Sequence, residues 1–516
     1  MDHGAIVIGA GHNGLITATY LARAGIDTLL VEARDSVGGC ASTVDDLGAR
    51  FNICNCDHQV FRSTPVIDEL ALESHGLAYL DTTPSQIHCH WDGGPAWAIF
   101  HEVAPTLELL RATYPHEVAG YERYLRAARP VAELVLEVAN RVPTARHVLA
   151  TLLERRARGV TTMLRWSRMT AANVLRGFFT EEALMGPVIV NGPAVWGLSP
   201  HRPRTGMGAI GYAIRHSSRS GRPVGGSGAV PASLRSALTA AGGKVQTGSR
   251  VVGILCRADR VRGVELADGT VIEAPVVVSA CDPTETFVSW LRHPPPGAGP
   301  LVRRYRGGSR HEGYESKIDA VVTELPRVRG INGDVFARFG IDANRPTTIV
   351  APSLDAMHEA QGRMGRGEVA ERPIFFMNTP SVLDPAMRPS AGGHVFSLEV
   401  LFTPYSVRGG WPGNTEPQRW LEAFASLVQP GWLDSVRSWR AMTPDVYEAE
   451  FHMPRGYATS FAGSPLTALL GRDRELTRYE TPVKGLYLTG AATFPGAGIW
   501  GAAGRNAAHV VLARER

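Results

Sequence analysis

The sequence predicts an α/β fold of two domains. One is a Rossmann-like domain built on a parallel sheet with ββα layers, and the other is an α+β domain with an antiparallel sheet beneath a helical cap. Three observations predict it. A short apolar strand at Ala5–Ile8 leads directly into a glycine pattern and a helix. A second apolar strand followed by glycines lies at 481–490. Between 286 and 450, apolar and polar residues alternate, as in antiparallel strands with one covered face.

Length and composition are those of a large globular protein. A chain of 516 residues exceeds what one compact core accommodates, so two domains are expected. The net charge of +4 is small for this size and favours no nucleic-acid partner. The sequence has no apolar run long enough for a spanning helix, and its first apolar run fits a strand better than a signal peptide. The six cysteines do not suggest a disulfide framework, so we expect a cytoplasmic protein.

The N-terminal glycine pattern carries the strongest functional signal. Gly9, Gly11 and Gly14 form G-x-G-x-x-G between the first strand and a helix expected over 15–24. These glycines allow a tight turn, close approach of the backbone to a pyrophosphate and close helix–strand packing. Glu32 ends the next strand, where a carboxylate would accept the ribose hydroxyls of an adenine dinucleotide. The motif alone does not distinguish FAD from NAD.

The following residues give a specific resemblance. Gly38 and Gly39 come shortly after the acid, and a paired glycine lets another loop approach the dinucleotide. The run G-A-G-H-N-G-L, with V-E-A-R-x-x-x-G-G after it, resembles the phytoene desaturase branch of the FAD-dependent amine oxidase superfamily, which includes carotenoid desaturases and isomerases. The resemblance implies that FAD is the cofactor, with its pyrophosphate on the glycines and its adenosine ribose on the glutamate. The implied contacts in this region are Gly9, Gly11, Asn13, Gly14, Glu32, Ala33, Gly38, Gly39 and Cys40.

Two later segments resemble the same family. The first is the segment 225–283. There the resemblance implies that Val251 binds the adenine through its backbone and that 279–283 pass near the phosphates. The second is the C-terminal run A-A-T-F-P-G-A-G-I-W-G, which resembles the family's C-terminal FAD signature. Its helix N–H groups could stabilise negative charge on the reduced flavin ring. The implied contacts are Gly490, Ala491, Gly498, Ile499 and Trp500.

The loop at 51–59 is dense in polar and reactive side chains. By the resemblance it runs beside the isoalloxazine and faces the substrate. His58, with Asp57 and Cys56 beside it, is the candidate general acid or base. Cys56 or His58 could also tether the flavin covalently. An equally good interpretation is that these side chains only hydrogen-bond the loop itself.

Changes of pattern divide the two domains into discontinuous segments. We expect residues 1–85, 205–285 and 451–516 to form the FAD-binding domain, and 86–204 with 286–450 to form the substrate and cap domain.

A basic amphipathic segment at 141–179 combines many arginines with leucine, tryptophan and phenylalanine. Such a segment fits peripheral contact with an anionic membrane surface, and it equally fits cap helices whose arginines are solvated. His88 and His90 alternate onto one strand face, but no third ligand is nearby in the sequence, so no metal site is expected.

These features favour an FAD-dependent oxidoreductase of secondary metabolism. It would transfer a hydride from a C–C bond of an apolar, conjugated or natural-product substrate to flavin N5. One alternative is an amine or imine oxidase of a nitrogenous metabolite, and another is a non-catalytic lipid binder on the same fold. Residues 450–457 depart from the glycine-rich stretch common in the family, which indicates a different substrate side. The sequence indicates neither an oligomeric state nor the final electron acceptor.

Overall fold

The computed structural model describes residues 2–515 except 55, 309–312, 314, 458, 459, 462 and 464. The strands are, in chain order, β1 (Ala5–Ile8), β2 (Thr28–Val31), β3 (Thr43–Asp46), β4 (Ala49–Asn52), β5 (Tyr79–Leu80), β6 (Gln86–His90), β7 (Trp97–Ile99), β8 (Arg222–Pro223), β9 (Lys244–Gln246), β10 (Val251–Arg257), β11 (Arg260–Leu266), β12 (Val271–Glu273), β13 (Val276–Ser279), β14 (Leu291–Arg292), β15 (Glu315–Val322), β16 (Thr347–Ala351), β17 (Phe375–Asn378), β18 (His394–Leu401), β19 (Val436–Met442) and β20 (Leu486–Leu488).

The α-helices account for most of the remaining regular structure. In chain order they are α1 (His12–Arg23), α2 (Val66–Glu69), α3 (Val103–Thr113), α4 (Val118–Ala139), α5 (Ala145–Glu154), α6 (Val160–Trp166), α7 (Ala171–Arg176), α8 (Glu182–Val190), α9 (Gly211–Ser217), α10 (Ala229–Ala240), α11 (Gly299–Arg306), α12 (Gly333–Arg338), α13 (Leu354–Met364), α14 (Pro380–Leu383), α15 (Glu416–Ala425), α16 (Pro444–Phe451), α17 (Pro465–Leu470), α18 (Arg474–Thr477) and α19 (Ala502–Glu515).

The first sheet is parallel throughout and has the order β20-β13-β1-β2-β9. β1 lies in its centre, with Ala5 beside Val276 on one side and beside Thr28 on the other. All of β1 is buried, because helices pack on one face of this sheet and another sheet packs on the other, so that only apolar side chains fit there. α1, α10 and α19 share a core with it. The predicted Rossmann-like fold is confirmed, although α1 begins at His12 rather than Leu15 because Gly9 already makes the turn.

The second sheet has the order β12-β11-β10-β14. β10 and β11 pair antiparallel, and β14 joins β10 in parallel through Ile254 beside Leu291. The side chains of this sheet share a core with β1 and β2. The chain stays on this sheet as far as Arg292, because Leu291 completes the apolar face of β10.

The third sheet has the order β19-β15-β18-β17-β16-β6-β7, and its neighbouring strands are antiparallel except for the parallel pair β16–β6. One face is covered by an apolar cluster that includes Trp411, Trp420 and Trp432. The opposite face is polar at its centre. Lys317, Asp319, Ser397 and Glu399, here called the polar face, are all buried there.

A layer of helices from α3 to α9 packs beside β6, β7 and β16. Its centre is a group of rings, Trp97, Tyr121, Tyr124 and Tyr212, here called the aromatic cluster. The ring centroids lie 5.3 to 6.2 Å apart, which is the usual spacing of packed aromatic pairs. Within the part of the chain that the structure describes, no helix combines the length and apolar character needed to cross a bilayer.

Candidate active site

The glycine pattern builds an open cradle at the start of α1. Gly9 has φ of +95°, and a Cβ on Gly14 would lie 2.0 Å from the Gly9 carbonyl oxygen, so neither position tolerates a side chain. At Gly11, by contrast, no atom lies within 4 Å of where a Cβ would be. Gly11 precedes the helix and has no side-chain cap, so the N–H groups of the first turn face this open space. The arrangement fits a pyrophosphate, which the helix dipole also favours.

Glu32 fastens the glycine loop to the end of β2. Its Oε2 accepts a hydrogen bond from the Ala10 N–H at 2.7 Å, and its Oε1 accepts one from the Arg34 N–H at 2.9 Å. The Ser249 N–H donates to the Glu32 carbonyl oxygen at 2.7 Å, which brings Val251 to the same edge. A carboxylate has about four lone pairs, so Glu32 can still accept ribose hydroxyls while holding both N–H groups.

The paired glycines return the chain to the first loop. The Gly38 N–H donates to the Ala10 carbonyl oxygen at 2.9 Å. A Cβ on Gly39 would lie 3.3 Å from the Gly11 Cα, so the two loops are in contact. Cys40 follows, with its Sγ 3.4 Å from the Sδ of Met453. The turn at Gly38 and Gly39 therefore lies against the loop of Ala10 and Gly11, and Asn13 lies on α1. Cofactor contact at these residues, and at Ala33 and Cys40, stays a prediction.

The C-terminal contacts reach the same space from the other end of the chain. Gly490 has φ of +100° and would place a Cβ 2.9 Å from the Ala280 carbonyl oxygen, and Ala491 follows it directly. The His12 ring, at the start of α1, interacts with the backbone of Gly498. Burial lowers the pKa of His12 to about 4. His12 is therefore neutral. Because its ring contacts the backbone of Gly498, the loop carrying Gly498 lies over the first turn of α1.

The next two residues point in different directions. Ile499 packs against the core of the parallel sheet, whereas Trp500 packs against the apolar core that contains the aromatic cluster. The Trp500 N–H donates to the Gly498 carbonyl oxygen at 3.0 Å, which fixes this turn. Trp500 therefore lies where the cofactor cradle meets the helical layer.

Cys56 and His58 of the predicted catalytic loop are buried, and residues from outside the loop are their hydrogen-bond partners. The two ring nitrogens of His58 are hydrogen-bonded to the Tyr79 hydroxyl at 2.8 Å and the Ser227 hydroxyl at 3.1 Å. Burial, with His12 nearby, lowers the pKa of His58 to about 3. The Cys56 thiol is 3.5 Å from Oδ1 of Asn378, and burial raises its pKa to about 12. A neutral histidine with both nitrogens occupied and an un-ionised thiol hold the loop in place.

Asp57 forms the central ion pair of this loop. Its Oδ1 accepts a hydrogen bond from Nε of Arg222 at 2.5 Å, and both side chains are buried. Arg222 also donates to the Arg345 carbonyl oxygen at 2.8 Å and to the Thr347 hydroxyl at 3.1 Å. Burial alone raises the pKa of Asp57, but the charge and hydrogen bond of Arg222 outweigh it and hold the pKa below its usual value. The pair ties the loop to β8 and β16.

The polar face of the third sheet is a set of functional candidates that sequence reasoning missed. Lys317 Nζ lies 2.7 Å from Oδ1 of Asp319 and donates to the carbonyl of Asn52, just before the predicted catalytic loop. Glu399 is the register partner of Lys317. Burial, and then the neighbouring Glu315, raise the pKa of Glu399 well above its usual value. The signal was present as polar residues at alternate positions of two otherwise apolar strands.

A second missed group lies in the helical layer. Arg215 on α9 is buried, and its Nη2 donates to Oδ1 of Asn191 at 3.0 Å. Asn191 donates in turn to Oε1 of Gln86 at 2.8 Å, which also accepts from Nε2 of His88 at 3.0 Å. Among the residues whose structure is described, no carboxylate forms an ion pair with Arg215, and its Nε–H has no acceptor.

Replacing Glu32 tests the cradle. We expect Glu32→Gln to bind FAD at least about ten-fold more weakly, because an amide NH₂ group would face one of the two backbone N–H donors and leave it unpaired. FAD titration into the apoprotein, followed by flavin fluorescence, measures this. Asp35→Asn is the matched control, since Asp35 is exposed and its replacement removes the same charge nearby. Equal FAD affinity of Glu32→Gln and the wild type would contradict the assigned role.

The acid side of the stability profile tests the state of His58. A histidine whose folded pKa is about 3 takes up its proton only on unfolding, so stability is complete above the unfolded pKa of about 6.5 and falls as the pH drops below it. We expect His58→Gln to remove about 1.4 kcal/mol per pH unit from that slope between pH about 6 and 4. Denaturant unfolding at several pH values measures it, with the exposed His147→Gln as control. An unchanged slope would show that His58 is protonated in the folded protein.

Known proteins resemble the chain over its whole length. Pyridine nucleotide-disulfide oxidoreductase domain-containing protein 2 of Rattus norvegicus is 28% identical over 565 residues, which cover 99% of this chain and 93% of that protein. A subunit of the limonene dehydrogenase of Castellaniella defragrans is 26% identical, with 98% and 94% covered. A lycopene-forming phytoene desaturase of Pseudescherichia vulneris is 23% identical, with 96% of each covered.

Solved structures show the same fold. Cyclohexylamine oxidase from Brevibacterium oxydans matches with a TM-score of 0.60 at 16% identity, and the match covers 100% of both chains. Residues 14–298, more than half of the chain, match the family described as flavin containing amine oxidoreductase. The expected resemblance and the expected FAD cofactor are thereby confirmed. The chain belongs to the flavin containing amine oxidoreductase family and is an FAD-dependent oxidoreductase.

Proposed function

We propose that this oxidoreductase dehydrogenates a C–C bond of an apolar, conjugated, natural-product-like substrate. One observation carries the proposal. Trp500, at the junction of cradle and helical layer, packs against an apolar core rather than against the polar face. A substrate that reaches the flavin from this side therefore meets rings and aliphatic side chains. Two of the relatives, named for limonene and phytoene, support a hydrocarbon-like substrate.

The aromatic cluster has few polar atoms left to offer a substrate. The Tyr212 hydroxyl donates to the Leu184 carbonyl oxygen at 2.7 Å, and the Tyr124 hydroxyl donates to the Ala209 carbonyl oxygen at 2.6 Å. The Trp97 Nε1–H donates to the Ala183 carbonyl oxygen at 3.0 Å. With these groups satisfied by the backbone, the rings provide dispersion contacts and exclude water.

The chain's own residues would orient the substrate and hold the cofactor still. FAD, when bound, supplies the acceptor for a hydride from the substrate carbon. The Asp57–Arg222 pair fixes the loop at 56–58 to β8 and β16, and Trp500 lies between the cradle and the helical layer. Orientation in a dry site is the contribution that such a scaffold makes to the rate.

Anaerobic reduction of the bound flavin tests the proposal. We expect limonene, geraniol or phytoene to bleach the yellow flavin absorption at least about ten-fold faster than putrescine or cyclohexylamine, because an apolar pocket does not compensate the desolvation of an ammonium group. Trp500→Ala should slow the bleaching, whereas Trp439→Ala, an exposed residue on β19, should not. Faster bleaching by an amine, with peroxide released in air, would instead support the amine oxidase alternative.

We further propose that the segment 141–179 touches an anionic membrane surface, from which an apolar substrate could be taken. α5 exposes Leu149 and Leu153, with 59% and 70% of their surface accessible. Exposed arginines lie on α5, on α6 and in the segments that flank these helices. Those without an ion pair within the described part of the chain are Arg141, Arg146, Arg156, Arg158, Arg165 and Arg168. Exposed apolar side chains in a segment rich in cations suit the boundary between headgroups and acyl chains.

Co-sedimentation with vesicles tests this surface. We expect binding to phosphatidylglycerol vesicles and little binding to phosphatidylcholine vesicles, because the arginines need anionic lipid. The double variant Leu149→Ser, Leu153→Ser should bind about 100-fold more weakly, as each leucine contributes roughly 1.5 kcal/mol on insertion and about 1.4 kcal/mol is a factor of ten in affinity. Val271→Ser, which replaces an exposed apolar residue on β12 of the second sheet, is the control. If the control and the double variant bind equally, the segment is not the contact surface.

A further inference from the structure

We propose that Arg215 binds a carboxylate group of the substrate, so that the substrate is an amphipathic apolar acid rather than a neutral hydrocarbon. This inference rests on the proposed function, because it places the acid group within the same helical layer that would receive the apolar chain.

The charges of the buried region support an anion at this position. Two arginines, Arg215 and Arg222, are buried close to Asp57. Arg222 forms an ion pair with the Asp57 carboxylate at 2.5 Å. Its guanidinium also donates hydrogen bonds to the Arg345 carbonyl oxygen and the Thr347 hydroxyl. Within the described part of the chain, the guanidinium of Arg215 has only one hydrogen-bond acceptor, the neutral amide oxygen of Asn191. The nearby charge of Asp57 offsets the burial of Arg215 only in part, because no described carboxylate contacts its guanidinium. A ligand anion bound to Arg215 would offset the remaining cost of burying this cation.

The donors of Arg215 are arranged for a carboxylate. Asn191 holds Nη2, and Asn191 is itself held by Gln86, so the guanidinium plane is fixed from one side. Its Nε–H remains without an acceptor among the described residues. A guanidinium that offers Nε–H and an Nη–H along one edge matches the two oxygens of a carboxylate. The neighbouring His88 donates from Nε2 to Gln86, which completes the support of this side chain.

The side chains around Arg215 indicate the chemistry of the rest of the ligand. Tyr212 lies one turn earlier on the same helix, and its ring stacks with His88 at a centroid distance of 5.5 Å. Both belong to the immediate environment of the aromatic cluster, and Trp500 packs against the same core. One buried cation in an apolar layer matches one negative charge on an apolar body. A phosphate dianion would need a second free cation, and an ammonium group would be repelled.

Three probes with one hydrocarbon chain test the inference: geranate, geraniol and geranylamine. Binding is measured on the FAD-loaded protein by perturbation of the flavin spectrum and by calorimetry. We expect geranate to bind about 10- to 100-fold more tightly than geraniol, as charge-assisted hydrogen bonds to a buried partner do, and geranylamine to bind most weakly. Arg215→Met should abolish the preference, and Arg215→Lys should keep part of it because the charge remains.

The controls separate this inference from the proposed function. Arg219→Met, on an exposed position of the same segment, should leave all three affinities unchanged. Arg215→Met should not lower the melting temperature of the ligand-free protein, since it removes a buried charge that no described carboxylate contacts. Equal affinity for geranate and geraniol in the wild type, including no binding of either, would overturn the inference. Bleaching of the flavin by neutral hydrocarbons would still uphold the proposed function in that case.

Discussion

The contact between the first and last helices is the constraint on which the site depends. A Cβ on Gly504 of α19 would lie 2.4 Å from the carbonyl oxygen of Asn13 on α1, so the two backbones touch. The Gly504 N–H donates to the Asn13 side chain at 3.1 Å, and the Thr17 hydroxyl donates to the Gly504 carbonyl oxygen at 2.9 Å. This packing holds the loop of Gly498 over the start of α1. Without it the glycine cradle would have one wall and the flavin end of the site would have none.

The fold and the cradle could be predicted because their determinants are local. G-x-G-x-x-G works through backbone geometry within six residues, as the φ of Gly9 and the crowding at Gly14 show. Glu32 follows at a fixed distance along one βαβ unit. The parallel strands are visible in the sequence as short apolar runs, and the structure has them within a residue or two of the expected positions. Motifs of this kind determine their own local geometry, so no knowledge of distant contacts was required.

The chemistry of the substrate side could not be predicted in the same way. Cys56, Asp57 and His58 were chosen because they are reactive side chains in a loop. Their roles depend on Arg222, Ser227 and Asn378, whose positions relative to the loop only the folded chain reveals. Arg215 was overlooked for the opposite reason, since an arginine near a helix end is usually solvated. Whether a charged side chain is a surface group or a buried one is decided by tertiary packing, and one sequence contains no direct record of it.

The meeting of α1 and α19 also has a consequence for how the protein folds. The cradle needs β1 and the loop at 490–500, which lie more than 480 residues apart in the sequence. The glycine loop and α1 can form from local contacts, but the second wall of the cradle forms only when these distant segments meet. Tight binding of FAD therefore follows this long-range contact in folding. Until the contact forms, the side of α1 that α19 covers is open to solvent.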